Sequence, residues 1–211
     1  MILIFSILIL VMSVVIHEVS HGYAAYIQGD STAEYEGRLT LNPIAHLDLF
    51  GSIIVPVITS LSGFPFGWAK PVPFNPYNLR NQRWGEFFVA IAGPAANFLI
   101  AIIFGLIIRF GAGSLPVTFV GLALQVVIIN ISLGIFNMIP VPPLDGSKVL
   151  FGFLPVRFSR IRWQLERYAL VIVFIIILVP VFTELLGRAV TYLTVFVTGL
   201  PLSSLVQYLQ F

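Results

Sequence analysis

Val15-Ile16-His17-Glu18-Val19-Ser20-His21-Gly22 sits where the chain otherwise reads as a membrane span. Over residues 2–16 the only polar side chains are Ser6 and Ser13. The apolar run continues to about Ile27, beyond the ~20 residues that a hydrocarbon core requires. Two histidines and a glutamate in such a helix cost several kcal/mol unless they have partners. Residues four apart share a helix face, with Cβ atoms about 6 Å apart, so His17 and His21 converge. Two neutral imidazoles can hold one metal ion. Glu18 lies about 100° round the helix from His17, close to that metal without having to ligate it. It is placed to act on water as a base. This is the H-E-x-x-H spacing of zinc hydrolases.

The composition supports a membrane setting. Of 211 residues 58% are hydrophobic and only 9% charged. A soluble domain of that size would lack charge to face water, and alternating strand patterns are nearly absent. The expected class is an all-α polytopic membrane protein of about four to six spans, one membrane-embedded domain over 1–211. Its catalytic core covers about 1–150 and its C-terminal membrane helices about 165–211. A net charge of +2 and no basic cluster of the nucleic-acid-binding kind argue against a nucleic-acid partner; the basic residues gather instead in a run with Lys148, Arg157, Arg160, Arg162 and Arg167. With no cysteine, disulfides and thiolate metal sites are excluded. The first segment lacks a basic leader and a small-residue cleavage pattern, so it reads as a retained span.

Apolar stretches fall at about 2–27, 49–62, 86–109, 118–138 and 168–186, with a short sixth at 189–200. Stretch 49–62 is too short to cross and contains Gly51 and Pro56, which suits a re-entrant segment. "GFPFGWAKPVPFNPYN" (63–78) is punctuated by glycine and proline and reads as an extended, hairpin-like loop. Residues 64–75 either offer an edge to an unwound substrate strand or plug space between the first and third spans. Trp68 and Lys70 also suit an interfacial anchor.

Zinc hydrolases use three protein ligands and leave a position open. His46 and the aspartates are candidates for the third. "NMIPVPPLDGSK" (Asn137–Lys148) is a second polar interruption, where Pro140, Pro142 and Pro143 stop a helix. Non-helical backbone at membrane depth needs protein or a wet cavity around it. Asp145 can there turn toward the metal, or cap the next helix. His46 can line the cleft, bind the metal in a resting state, or be a satisfied interfacial histidine. Asp48 suits a cap for the dipping segment.

"HEVSH" in a first span, "AGPAAN" (Ala92–Asn97) in another and "NMIPVPPLDG" ending a third resemble the site-2 protease family, which are intramembrane zinc metalloproteases. "LNPIAHLDLFG" (Leu41–Gly51) and "GWAKPVPFNP" (Gly67–Pro76) resemble its compact bacterial and archaeal branch, without a PDZ insertion. The match runs over about residues 10–150. It implies one Zn2+ per chain held by His17, His21 and Asp145, with Glu18 as catalytic base. It also implies that Asn137 orients the substrate carbonyl or steadies the oxyanion. One departure is Ser147, where the family often has a second glycine. The implied substrates are single-pass membrane proteins or leftover signal peptides in a lipid bilayer, and the implied home is a prokaryotic cell membrane.

One metal touching both motifs sets the topology. The ends of spans 2–27 and 118–138 must lie at one depth, so these spans run parallel with 86–109 between them. Residues 28–85 then make no net crossing. On the metal side fall Arg38, Lys70, Arg80, Arg83, Lys148, Arg157, Arg160, Arg162 and Arg167, against Arg109 and Arg188 on the other. The positive-inside rule places the zinc site toward the cytosol and the N-terminus outside. Gly93 and Asn97 share a face on the third span, where a small residue permits close helix approach and an amide bridges helices. The alternative function is a metal or proton transporter using the same polar residues. It predicts ionisable groups spread through several spans, whereas here they cluster near one end. The course of 189–211 stays open between a further crossing and the outer surface.

Overall fold

The computed structural model describes residues 2–48, 51, 54 and 69–209. Among the described residues the regular structure is helical, without a strand. The α-helices are α1 Ile2–Ile27, α2 Thr32–Tyr35, α3 Gln82–Gly111, α4 Val117–Asn137, α5 Asp145–Phe153, α6 Ser159–Arg167, α7 Ala169–Leu178, α8 Pro180–Thr198 and α9 Leu202–Leu209. Four are long and apolar enough to cross a bilayer: Ile4–Ile27, Trp84–Gly111, Val117–Asn137 and Pro180–Thr198. The protein is an all-α polytopic membrane protein.

Helix α1 stops at a glycine. Gly29 takes φ +103°, a conformation open to residues without a Cβ, and the Asp30 N–H reaches back to the Ala25 carbonyl at 3.1 Å. The short link between α3 and α4 ends at Pro116, the N-cap of α4, and makes the two helices antiparallel neighbours. Their seam holds the main apolar core: Ala101 and Ile108 from α3, and Val120, Ala123, Leu124, Val127 and Ile131 from α4, closed by Leu205 of α9.

Polar contacts give the direction of each helix. Ser6 Oγ donates to Gln125 Oε1 at 2.9 Å, and Asn130 Nδ2 donates to Ser13 Oγ at 2.9 Å. Further along, His17 meets Asp145. Residue numbers rise together, so α1 and α4 run parallel. Against α3 they run in opposite senses: His17 meets Asn97, His21 meets Val89 and Gln28 reaches Gly85. The required parallel arrangement of the first and fourth helices is therefore present.

Between α1 and α3, two buried side chains tie the stretch 69–80, which includes a 3-10 turn at Pro76–Asn78, to the loop after α1. Asp30 accepts from the Asn75 N–H at 2.6 Å, Asn78 Nδ2 at 2.9 Å, and both the N–H and hydroxyl of Thr32. Arg38 Nη2 donates to the carbonyls of Lys70 at 2.7 Å and Pro71 at 3.2 Å. The re-entrant segment expected at 49–62 lies outside the described residues apart from Gly51 and Ile54. The Gly51 N–H donates to Asp48 Oδ1 at 2.6 Å. Residues 63–68 of the hairpin-like loop, with Trp68, also lie outside. The described remainder, 69–75, is extended and pairs with no strand among the described residues.

One boundary differs from the sequence reading. The stretch 168–186 is not one span: it breaks at Val179, φ −83° and ψ 112°, and α8 begins on Pro180. Proline has no N–H to continue α7 and disfavours helical backbone in the residue before it. Hydropathy misses this break because every residue around it is apolar. The last apolar stretch, 189–200, is the second half of α8. Helix α8 packs beside α3, where Arg109 Nη1 donates to the Phe196 carbonyl at 2.8 Å.

Burial works to raise the Asp30 carboxyl pKa, but the bonds from Thr32, Asn78 and Asn75 outweigh it and hold it below the usual carboxylate range. A depressed folded pKa stabilises above the unfolded value, about 3.9, and that stabilisation is lost as pH falls through the folded value. Asp30→Asn is expected to destabilise the protein at neutral pH and to flatten the acid side of its stability profile. Thermal unfolding in detergent as a function of pH measures both.

Candidate metal centre

His17 and His21 project from one face of α1, and Asp145 comes to them from the first turn of α5. Leu144, not Asp145, is the N-cap residue of that helix. The Asp145 carboxylate is thus not spent as a cap, and the positive end of the α5 dipole favours its charge. Lys148 Nζ lies 3.6 Å from its other oxygen. Gly146 is required by packing, since a Cβ there would collide with the backbone of Met138 and Ile139. The chain can thus fold back tightly on the end of α4 before α5 starts.

The three groups meet closely. His17 Nε2 and His21 Nε2 are 3.0 Å apart, and each is 3.1 Å from Asp145 Oδ2. All three residues are buried. Among the described residues they form the one group of three such side chains able to hold a metal ion. Four-coordinate zinc with bonds of about 2.0–2.1 Å separates its ligand atoms by roughly 3.3 Å, close to this triangle.

Hydrogen bonding behind the rings gives the chemical test of fit. His21 Nδ1 lies 2.6 Å from the Val89 carbonyl, which can only accept, so Nδ1 carries the proton. His17 Nδ1 lies 2.6 Å from Asn97 Oδ1. Asn97 Nδ2 is committed to Asn130 Oδ1 at 2.9 Å and the Ser13 carbonyl at 3.3 Å, so the network assigns the oxygen to His17. Asn130 is fixed in turn by donating to Ser13 Oγ and the Val126 carbonyl. Neutral rings in these tautomers present lone pairs at both Nε2 atoms, facing a carboxylate oxygen. The two Nε2 atoms and the carboxylate oxygen are thus the three atoms that a cation would join. The donor set fits zinc.

Gly93 lets α3 close over this site. A Cβ there would come nearer than 3.0 Å to both imidazoles. The close approach expected at Gly93 and the interhelical amide expected at Asn97 are both present, and Asn97 reaches further than anticipated, directly to a ring nitrogen.

Glu18 is half-buried beside His17, and its Oε2 accepts the Val72 N–H at 2.8 Å. Val72 stands between Pro71 and Pro73, which have no N–H to offer. Asn137 ends α4 with Nδ2 donating to the Leu133 carbonyl at 3.0 Å, so its amide is turned along its own helix. His46 is not part of the cluster. Its Nε2 donates to the Thr40 carbonyl at 2.8 Å, and its carbonyl accepts the Lys70 N–H at 2.9 Å. It holds the loop that carries Val72. Sequence reasoning missed Asn130, Ser13, Val72 and Arg38. For Asn130 a signal existed, because a lone amide deep in an apolar span calls for a partner.

The match to the family model for peptidase family M50 covers residues 5–123 and 115–180. The chain is 36% identical over 183 residues to "Putative zinc metalloprotease YwhC" of Bacillus subtilis, covering 83% of this chain and 81% of that protein. It is 30% identical over 172 residues to "Putative zinc metalloprotease Rip2" of Mycolicibacterium smegmatis, covering 80% of this chain and 64% of the relative. Against "Zinc metalloprotease MJ0392" of Methanocaldococcus jannaschii the identity is 24% over 155 residues, 74% of this chain and 36% of the relative. No solved structure matches. A helical membrane bundle enclosing two histidines and an aspartate defines a class of intramembrane metal-dependent hydrolases, and with these relatives the chain belongs to peptidase family M50, the site-2 proteases. It is an intramembrane zinc metalloprotease. The transporter alternative has no support among these findings.

Replacing Asn97 with Leu removes the acceptor that holds the proton on His17 Nδ1. Zinc affinity is expected to fall by about 10–100-fold, read by competition with a chromogenic chelator. Unchanged affinity would refute the tautomer argument.

Proposed function

We propose that His17 Nε2, His21 Nε2 and Asp145 hold the zinc ion, and that Glu18 is the general base in hydrolysis of peptide bonds within or beside transmembrane segments. The observation carrying this reading is the 3.0–3.1 Å triangle of two ring nitrogens and a carboxylate oxygen beside Glu18. When bound, zinc supplies Lewis acidity that makes water more acidic and polarises a carbonyl. Glu18 takes the proton from the attacking water on its carboxylate and returns it to the leaving amine. The Val72 N–H bond orients that carboxylate. Asn137 has a second amide hydrogen beyond the one given to Leu133, and it donates to the substrate carbonyl oxygen as negative charge develops there. Substrates are single-pass membrane proteins or leftover signal peptides, since two of the three metal-site residues lie within a helix long and apolar enough to cross a bilayer.

The same reading sets the orientation. Arg188 lies inside α8 with Glu184 as its ion-pair partner, so it counts for neither side. Nine basic residues then lie toward the zinc end against Arg109 at the other. The zinc end faces the cytosol and the N-terminus faces outward. The home is a prokaryotic cell membrane, in keeping with the bacterial and archaeal relatives.

With a membrane-anchored test substrate in detergent, Glu18→Gln is expected to lower kcat by about 10²–10⁴-fold while zinc stays bound. His17→Ala and Asp145→Ala are expected to lose the metal as well as cleavage. Turnover by Glu18→Gln within tenfold of wild type would remove Glu18 from the role assigned to it.

A further inference from the structure

Helix α6 reads SRIRWQLER, and after Tyr168 the chain continues as α7, ALVIVFIIIL, with no polar side chain. Leu170, Val171, Ile175 and Leu178 of α7 are 53–68% exposed, so that helix needs hydrocarbon around it. A charged helix that becomes wholly apolar across one tyrosine crosses from water to lipid there. Tyr168 thus marks the interface and α6 lies at headgroup depth.

At helical spacing Arg160, Trp163 and Arg167 fall at i, i+3 and i+7 on one exposed stripe, with Arg157 just before it. Arg162 points elsewhere and is committed, to Glu86 at 3.2 Å and Glu166 at 2.8 Å. Among the described residues, Arg157, Arg160 and Arg167 have no carboxylate partner. The Arg157 guanidinium instead lies over Phe158, 5.2 Å from its centroid, and that of Arg167 over Trp163 at 5.9 Å and Tyr168 at 5.8 Å. Cations held over aromatic rings at an interface, without counter-charge from the protein, suit a phosphate.

We infer that the α6 stripe of Arg157, Arg160, Trp163 and Arg167 binds the headgroups of anionic phospholipids in the leaflet at the zinc end of the bundle. The three guanidiniums engage headgroup phosphates, and the Trp163 indole sits at the level of the acyl esters. The surface is braced against the site, because the Arg162–Glu86 pair joins α6 to α3 three residues before Val89, whose carbonyl holds His21. The inference rests on residence in a bilayer and not on the catalytic roles proposed above.

The test uses vesicles of phosphatidylcholine and phosphatidylglycerol in a fixed 4:1 ratio, with bromine on one lipid or the other at equal mole fraction. Trp163 emission is taken as the difference between the wild-type chain and Trp163→Phe. Bromine on phosphatidylglycerol is expected to quench it at least about threefold more than bromine on phosphatidylcholine. The excess should shrink in ~1 M salt, where the screening length is about 3 Å. It should vanish in R157Q/R160Q/R167Q and persist in R157K/R160K/R167K, which keeps the charge. Equal quenching by the two lipids overturns the inference and leaves the stripe to an acidic protein partner. An excess that survives the glutamine variant also overturns it.

Discussion

Three lone pairs brought to one buried point govern this molecule. Two imidazole nitrogens and a carboxylate oxygen lie in contact there, and burying such a set is costly unless a metal cation or a proton joins them. Everything nearby serves to bring them together and keep their protons elsewhere. Helices α1 and α4 must run parallel so that their ends share a depth. Helix α3 must come close enough to supply the Val89 carbonyl and the Asn97 amide, and it does so through Gly93. The proline-rich break after α4 must turn sharply so that Asp145 faces α1, and Gly146 admits that turn.

Behind the two imidazoles, the few intramembrane polar side chains hold ring orientation. Ser13, Asn97 and Asn130 come from three helices and satisfy one another, with Asn97 and Asn130 fully buried. In hydrocarbon an unpaired amide is expensive, so such a network has one low-energy arrangement and specifies helix register as well as tautomer. The loops at the zinc-site end play a comparable part outside the bundle. Asp30 and Arg38 tie the 69–80 stretch to the end of α1, which sets the Val72 N–H on Glu18.

How far the sequence could be read depended on whether a signal was local. The H-E-x-x-H spacing on an apolar helix follows from 3.6-residue periodicity, and the proline break with its aspartate was equally visible. The parallel arrangement of α1 and α4 followed from requiring one metal to touch both. By contrast, the break at Val179–Pro180 was hidden because apolar residues flank it, although the chemistry of proline predicts it. Asn137 was legible as a motif residue, yet its amide contacts its own helix, a rotamer choice no motif encodes. His46 was ambiguous as a ligand because composition cannot tell a distant loop histidine from a convergent one. Its bonds to Thr40 and Lys70 make it a scaffold for the loop.

The sequence by itself determined the class of protein, the residues able to bind a metal, and the relative direction of the two helices that carry them. Each follows from hydropathy, periodicity or the reach of one ion. The tertiary structure alone decided which ring nitrogens hold protons, which carbonyl and amide secure them, and which backbone N–H steadies the glutamate. Those partners lie 54 to 80 residues away along the chain, and no short-range rule of spacing specifies contacts that only the packing of α1 against α3 and the 69–80 stretch brings about.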